Sequence, residues 1–371
     1  MISTYGMKYL KNLRNFEGKI ALVRSSLNVE DIKNSLRLEK SLDTLNFLKK
    51  GGAKIIIIGH RGRPHGHVSK DFTLLHLMPF FKKNLTRSIH FFDHFNPRAI
   101  RAKVKKSKNG SVFLLENIRF NIGEEKNDKT FAHQLAGLGD FYVNDDFSTS
   151  HREHASIAAI TKHLPGFAGL ALEKEIEELD GVMKRPKKPL VVILAGGKAF
   201  DKFSVVEHLY DKAGKFLIGG VIANTILVAK GEDVANSVVD HKLLPSLKEK
   251  HLRMRKLILP SDFIKEKNKI LDIGPKSQGE FARHIKGAGT VIWAGPMGFF
   301  ENPLYRGGSE AVAKAIAKSN AYSIIGGGET SSLIVDMKLE NKVNFLSTGG
   351  GAMLAYLAGK PMPGITALEK R

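Results

Sequence analysis

The stretch LRLEKSLDTLNFLKKGGAKIIIIG (residues 36–59) decides the fold class. Residues 36–50 carry apolar groups at helical spacing, and residues 54–59 form a short β-branched run that fits a strand. A helix delivered straight into such a strand is one unit of βαβ grammar. Runs of the same kind recur at 19–24, 111–115 and 141–143, with helical spacing again over 130–138. The alternation restarts at Leu190–Leu194 and continues at 216–218, 256–259, 290–293, 323–325 and 345–347. Each half therefore reads as a parallel sheet covered by helices, giving an α/β chain of two doubly wound, Rossmann-like domains.

Between the halves, Leu172, Ile176 and Leu179 share one helical face, with acidic residues early and Lys184 and Arg185 late, as the helix dipole favours. Pro186 biases the residue before it away from helix, and the next strand starts after Pro189. The expected organisation is an N-terminal domain over 1–168, a connecting helix over 169–185 and a C-terminal domain over 186–352. A chain of 371 residues is long enough for two cores of ordinary size.

The chain contains no Cys, which excludes disulfides, thiolate metal ligands and a Cys nucleophile. Its apolar runs are too short to span a bilayer, and residues 1–15 lack the order of a secretory signal, so a cytoplasmic protein is expected. Lys and Arg total 58 against 37 Asp and Glu, a net charge of +21 that attracts phosphates or other acidic partners. The basic runs 101–107 and 248–256 have few interleaved aromatics, and read as solvated faces rather than base-stacking surfaces.

The strand ends of the first half carry one kind of chemistry. Arg24, Ser25, Ser26 and Asn28 follow the first run, His60, Arg61 and Arg63 the second, Arg119 the third, and His151, Arg152 and His154 the fourth. In open α/β sheets the carboxyl ends of the strands form the ligand crevice, so these groups are expected to converge there with Arg37. Guanidinium forks suit bidentate contacts with phosphate and carboxylate. Taken singly each Arg is more often a surface ion-pair partner. The histidines lack the spacing of a zinc site.

The second half carries three Gly-rich turns after strands: Gly196-Gly197-Lys198 leading to Lys202, Gly326-Gly327-Gly328-Glu329-Thr330, and Thr348-Gly349-Gly350-Gly351-Ala352. Glycine lets backbone amides approach an anion, and a helix opening at such a turn favours phosphate there. Lys198 and Lys202 stand at i and i+4 and could face one polyphosphate. No turn matches the Walker A pattern or the dinucleotide fingerprint, so a mononucleotide site of another type is expected.

Together, Leu114-Leu115-Glu116-Asn117-Ile118-Arg119-Phe120, Val143-Asn144-Asp145-Asp146-Phe147, Trp293-Ala294-Gly295-Pro296-Met297-Gly298 and Ser347-Thr348-Gly349-Gly350-Gly351-Ala352 closely resemble the phosphoglycerate kinase family. The resemblance is collinear from about Leu22 to Leu368. It implies the phosphoglycerate kinase fold and reversible phosphoryl transfer from 1,3-bisphosphoglycerate to ADP, giving 3-phosphoglycerate and ATP in glycolysis, with Mg²⁺ on the nucleotide. It implies phosphoglycerate binding by Ser26, Asn28, Arg37, His60, Arg63, Arg119 and Arg152. Nucleotide binding falls to Lys198, Lys202, Glu301, Gly327, Gly328, Glu329 and Thr330, with Glu329 on Mg²⁺, directly or through water. Arg37, Lys198 and the amides of Gly349, Gly350 and Gly351 are expected around the transferring group, where charge stabilisation and alignment matter most. A monomer is implied, with hinge closure between domains and a segment over 353–371 that returns to the N-terminal domain.

The chain departs from the family pattern at named positions. Ser26 stands where the family usually has Asp, Ser148 and Val221 where it has glycine, Ala294 where it has Asn, Glu329 where it has Asp, and Phe200 where a small residue is usual. A competing expectation is a catalytically weakened relative that binds nucleic acid or another acidic partner through its basic surface.

Overall fold

The computed structural model describes residues 6–32 and 35–369. These pack as two units: the residues up to Ile176 together with those from Pro361 onward, and Glu177–Lys360.

The first unit is built on six parallel strands: β1 (Ile20–Ser25), β2 (Lys54–Ile58), β3 (His90–Phe92), β4 (Val112–Leu115), β5 (Phe141–Asp145) and β6 (Gly166–Ala168), in the order β3-β4-β2-β1-β5-β6. Every residue of β1 is buried, as a central strand covered on both faces requires. The helices α1 (Leu36–Lys50), α2 (Met78–Asn84), α3 (Pro97–Lys105) and α4 (Lys129–Ala136) connect the strands. Ser35 caps α1 by accepting from the Leu38 amide. Leu38, Leu45 and Leu48 then pack with Ala21, Val23, Ile55 and Ile57 in one core. The helical period of one segment thus meets the period of two of its neighbour, as the opening stretch predicts.

Helix α5 (Leu170–Lys184) follows β6, and the division between the units falls within it. Its first turn is tied to the end of β5, where Asp145 Oδ1 accepts from the amides of Ala171 and Leu172 and from the Thr44 hydroxyl.

The second unit repeats the architecture with β7 (Leu190–Leu194), β8 (Lys215–Ile218), β9 (Leu257–Ile258), β10 (Phe263–Glu266), β11 (Lys269–Ile273), β12 (Thr290–Ala294), β13 (Tyr322–Gly326) and β14 (Phe345–Ser347). Six of these form a parallel sheet in the order β14-β13-β12-β7-β8-β9, while β10 and β11 make a separate antiparallel hairpin. Its helices are α6 (Ala199–Leu209), α7 (Gly220–Ala229), α8 (Glu249–Leu252), α9 (Pro275–Lys286), α10 (Gly307–Lys318), α11 (Gly328–Asp336) and α12 (Gly351–Leu357). Helix α12 packs on α6, and Lys360 is the last residue of this unit. In the first unit, α13 (Pro363–Thr366) is held where the Gly364 amide donates to Ser150 O and the Gly364 carbonyl accepts from Asn144 Nδ2. No helix among the described residues is long and apolar enough to cross a membrane.

Candidate functional site

At the carboxyl ends of β1, β2, β4 and β5 the expected basic residues assemble around a buried framework. Arg24 is fully buried. Its Nη1 pairs with Asp146 Oδ2 at 2.8 Å and donates to Ser25 O, its Nε donates to Ser156 Oγ, and its Nη2 donates to His60 Nδ1 at 2.9 Å. Arg24 has thus committed its fork to the protein and acts as a positioning group.

That last bond fixes the state of His60. Burial pushes the imidazole well below its ordinary value, and the charges of Arg24, Arg119 and Arg152 push it further in the same direction. His60 is neutral, and because Nδ1 accepts from Arg24 its proton sits on Nε2, leaving that nitrogen a donor. His154 is likewise lowered to about 3, first by burial and then by Arg119, Arg24 and Arg152. These mutual repulsions record a convergence of positive charge that strand-end position alone predicts.

Arg119 stands in the short turn Ile118–Phe120 and is 2% exposed. Its Nη1 donates to Gly62 O at 2.7 Å and its Nε faces Glu125 at 3.3 Å, while Nη2 is buried without a hydrogen-bond partner. Burial lowers it only to about 10, so it carries its charge at neutral pH. A buried guanidinium with an N–H not spent on the protein is suited to a charge-assisted bond with an anion. Asn28 joins the surrounding loops: its Oδ1 accepts from the Gly62 amide and its carbonyl accepts from Arg37 Nη1, both at 2.9 Å. Arg37, in the first turn of α1, and Arg152 are half-buried, whereas Arg63 is exposed. Ser26, just past β1, is buried with its Oγ 3.1 Å from Ser148 Oγ.

In the second unit a cavity of about 260 Å³ opens beside the Gly196–Gly197 turn. The glycines are required there: Gly220 has a φ of +55°, and a Cβ on it would collide with the Gly196 backbone. Val221, Phe263, Ile270 and Met297 supply apolar wall, and Glu301 and Glu329 supply carboxylates. Lys198, Lys202, Gly327, Gly328, Thr330 and the 349–351 turn are outside its lining.

The helical pairing of Lys198 with Lys202 needs correction. Lys198 is not inside α6 but precedes it with left-handed backbone, φ +55°, and is exposed. Lys202 is 6% exposed and donates from Nζ to the carbonyls of Ala195 and Gly197, so it clamps the turn from beneath. Burial lowers its ammonium to about 8, with nearby Glu329 opposing the shift. Thr330 is also buried, with its hydroxyl accepting from the Gly295 amide, and Gly349 spends its amide on Ser347 Oγ. Both support the turns from behind. Gly350 and Gly351 stand at the start of α12, where helix amides precede the first internal bond.

Position along the strands did not reveal Asp146, Glu124, Ser156 or the hairpin β10–β11. Glu124 is fully buried and accepts from the Ser156 amide and hydroxyl, behind Arg24. The signal for Asp146 was present in the Asn144-Asp145-Asp146 run, since carboxylates at a strand end beside a fully buried Arg are its natural counter-charge.

The profile of the phosphoglycerate kinase family matches residues 10–360. The phosphoglycerate kinase of Moorella thermoacetica is 36% identical over 98% of this chain and 99% of the relative. That of Herpetosiphon aurantiacus is 38% identical over 96% and 98%. The chain belongs to the phosphoglycerate kinase family. Among solved structures, the phosphoglycerate kinases of Coxiella burnetii (TM-score 0.81, 32% identity) and Pyrococcus horikoshii (TM-score 0.84, 30% identity) each cover 98% of both chains.

As a member of the phosphoglycerate kinase family, the chain is a nucleotide-dependent kinase that transfers phosphate in glycolysis, with phosphoglycerate and ADP or ATP as substrates. The nucleic-acid reading of its charge is not favoured. Of the departures from the phosphoglycerate kinase pattern, Val221 and Glu329 line the cavity, Ala294 is buried at the end of β12, and Phe200 is partly exposed at the start of α6.

Proposed function

We propose that the first unit holds phosphoglycerate at the Arg119–His60–Arg152 cluster and that the second holds the nucleotide in the cavity beside Gly196. The observation that carries the acceptor assignment is the buried, charged and unpartnered Nη2 of Arg119 amid neutral histidines. A phosphate or carboxylate oxygen placed there receives a charge-assisted bond whose desolvation has already been met by the fold. His60 Nε2, Asn28, Ser26, Arg63 and Arg152 complete the binding set, and Arg37 faces the same loop through the Asn28 carbonyl.

Phosphoryl transfer breaks the acyl phosphate bond of 1,3-bisphosphoglycerate as an oxygen of the ADP β-phosphate attacks the same phosphorus in line. The protein's work is alignment and neutralisation of charge on the moving group. Arg37, Lys198 and the amides of Gly350 and Gly351 take that role in this reading. Lys202 and Thr330 hold the turns on which the nucleotide rests. Gly349 shapes its turn, and Gly327 and Gly328 admit the phosphates. Glu329 and Glu301 are exposed carboxylates on the cavity, and the oxygen chemistry of that pair fits Mg²⁺, which keeps most of its ligands as water and phosphate. Mg²⁺ supplies charge neutralisation on the nucleotide when bound.

On this reading the protein works in the cytoplasm as a monomer, with one substrate per unit. Purified protein is expected to form ATP from ADP only when 1,3-bisphosphoglycerate is supplied, followed by a coupled assay. Absence of that turnover overturns the reading.

A further inference from the structure

Ser26, Ser148 and Asp146 form a hydrogen-bond chain in the first unit whose direction is dictated by proton count. Asp146 is fully buried, and although burial alone favours its neutral form, the Arg24 guanidinium, the hydroxyls of Ser148 and Thr149 and the charge of Arg37 hold it below the usual carboxylate range. An ionised carboxylate can only accept. The Ser148 hydroxyl, 2.6 Å from Asp146 Oδ1, therefore spends its single proton there. With that proton spent, Ser148 Oγ can meet Ser26 Oγ at 3.1 Å only as an acceptor. The proton of Ser26 is drawn to Ser148 in turn.

We propose that Ser148 is a positioning residue that relays the charge of Asp146 to Ser26, making Ser26 an obligate acceptor that selects a ligand carrying a hydroxyl donor. Asp146 cannot drift out of this arrangement, because Arg24 holds Oδ2 at 2.8 Å and Thr149 donates to the same oxygen at 2.8 Å. Ser26 is buried, so a free lone pair on its Oγ is satisfied best by a donor from a bound ligand. On the phosphoglycerate reading, on which this inference rests, the donor is the 2-hydroxyl of the glycerate. A serine without the relay keeps a rotatable hydroxyl that serves donor and acceptor alike and discriminates less.

The test measures binding of two probes by calorimetry: 3-phosphoglycerate, and the same molecule lacking its 2-hydroxyl. The parent is expected to prefer the hydroxylated probe. Ser148→Ala should weaken 3-phosphoglycerate binding about twofold, less than the roughly fivefold worth of one neutral hydrogen bond, and leave the deoxy probe unchanged. Ser26→Ala should cost the full factor of about five, the double variant should lose no more than Ser26→Ala alone, and Ser148→Thr should keep the preference. If Ser148→Ala fails to fold, Ser26→Ala and Ser148→Thr still decide the matter, because loss of discrimination in the first and its retention in the second are both required. Equal weakening of both probes, or discrimination left intact by Ser148→Ala, overturns the relay alone. A parent that binds neither probe overturns the phosphoglycerate reading and the relay's role with it.

Discussion

Replacing Arg119 by Ala removes one side chain from three tasks, and the structure separates them. The Nη1 bond to Gly62 O is lost, but the same loop remains tied by the Gly62 amide to Asn28 Oδ1. The partly exposed Glu125 loses its partner and turns to solvent. What has no substitute is the buried Nη2, which makes no hydrogen bond within the protein and which the proposed reading assigns to the phosphoglycerate anion. A hydrogen bond from a charged donor contributes roughly 1.5–3 kcal/mol, so the KM for 3-phosphoglycerate should rise about 10- to 150-fold. The KM for ATP should hold, since the cavity beside Gly196 is lined entirely by residues of the second unit. Arg119→Lys keeps the charge but not the fork, and one ammonium cannot reproduce separate bonds to Gly62 O and to a ligand, so an intermediate loss is expected. Steady-state kinetics in the direction of 3-phosphoglycerate consumption, with circular dichroism to confirm folding, reads both constants. An unchanged KM for 3-phosphoglycerate, or an equal rise in both, would refute the assignment of Arg119 to an anion.

Lys202 should impose a basic limb on nucleotide affinity. Its ammonium titrates near 8, so the KM for ATP is expected to climb as pH passes that value while the KM for 3-phosphoglycerate stays level, and Lys202→Met should raise the former at neutral pH and abolish its pH dependence. Between about 8 and 10.5 the unfolded chain keeps a proton that the folded one has released, so this group's destabilising effect is relieved as pH rises through that window. Asp145 has the opposite sense. Burial raises it from 3.8 to about 8, so the folded state holds a proton the unfolded state gives up, and stability from this group falls as pH rises through that interval. Asp145→Asn retains an oxygen to accept from Thr44, Ala171 and Leu172, and removes the charge from an Oδ2 that has no partner. Its melting temperature should exceed the parent's by more at pH 9 than at pH 5, and a pH-independent difference would count against the burial argument.

The fold was legible because its strongest signals are long-range consequences of local rules. The central strands β1, β2, β7 and β12 are covered on both faces, so each carries at least four consecutive apolar residues that no loop would tolerate. The edge strands β3 and β6 escaped notice for the converse reason. His90–Phe92 and Gly166–Ala168 are three residues long, too short for an apolar pattern to stand out from the loops around them. The hairpin β10–β11 carries Glu266, Lys265 and Lys269 on exposed positions, so nothing in its composition announced a wall of the cavity beside Gly196.

The site was legible in its charges and illegible in its commitments. Residue type and strand-end position pointed to Arg24, His60, Arg119 and Arg152, but only the folded arrangement distinguishes Arg24, whose fork is spent on Asp146, His60 and Ser156, from Arg119, whose Nη2 makes no hydrogen bond within the protein. The same limit governs Lys198 and Lys202, equal on a helical wheel yet one exposed and the other buried against carbonyls. It governs Ser26 and Ser148 most sharply. Read along the chain they are two separate departures, each a loss. Their oxygens stand 3.1 Å apart with Asp146 behind them, so the second departure supplies what the first gave up: a path by which a buried carboxylate, already neutralised in part by Arg24, can still bias the hydrogen bonding of position 26. Restoring a carboxylate by Ser26→Asp alone would then set a second negative charge beside Ser148 and Asp146, with Ser148 having one proton for two acceptors. Ser26→Asp with Ser148→Gly should be tolerated better than Ser26→Asp by itself, in thermal stability as well as in turnover, and equal behaviour of the two variants would show that the pair is not coupled.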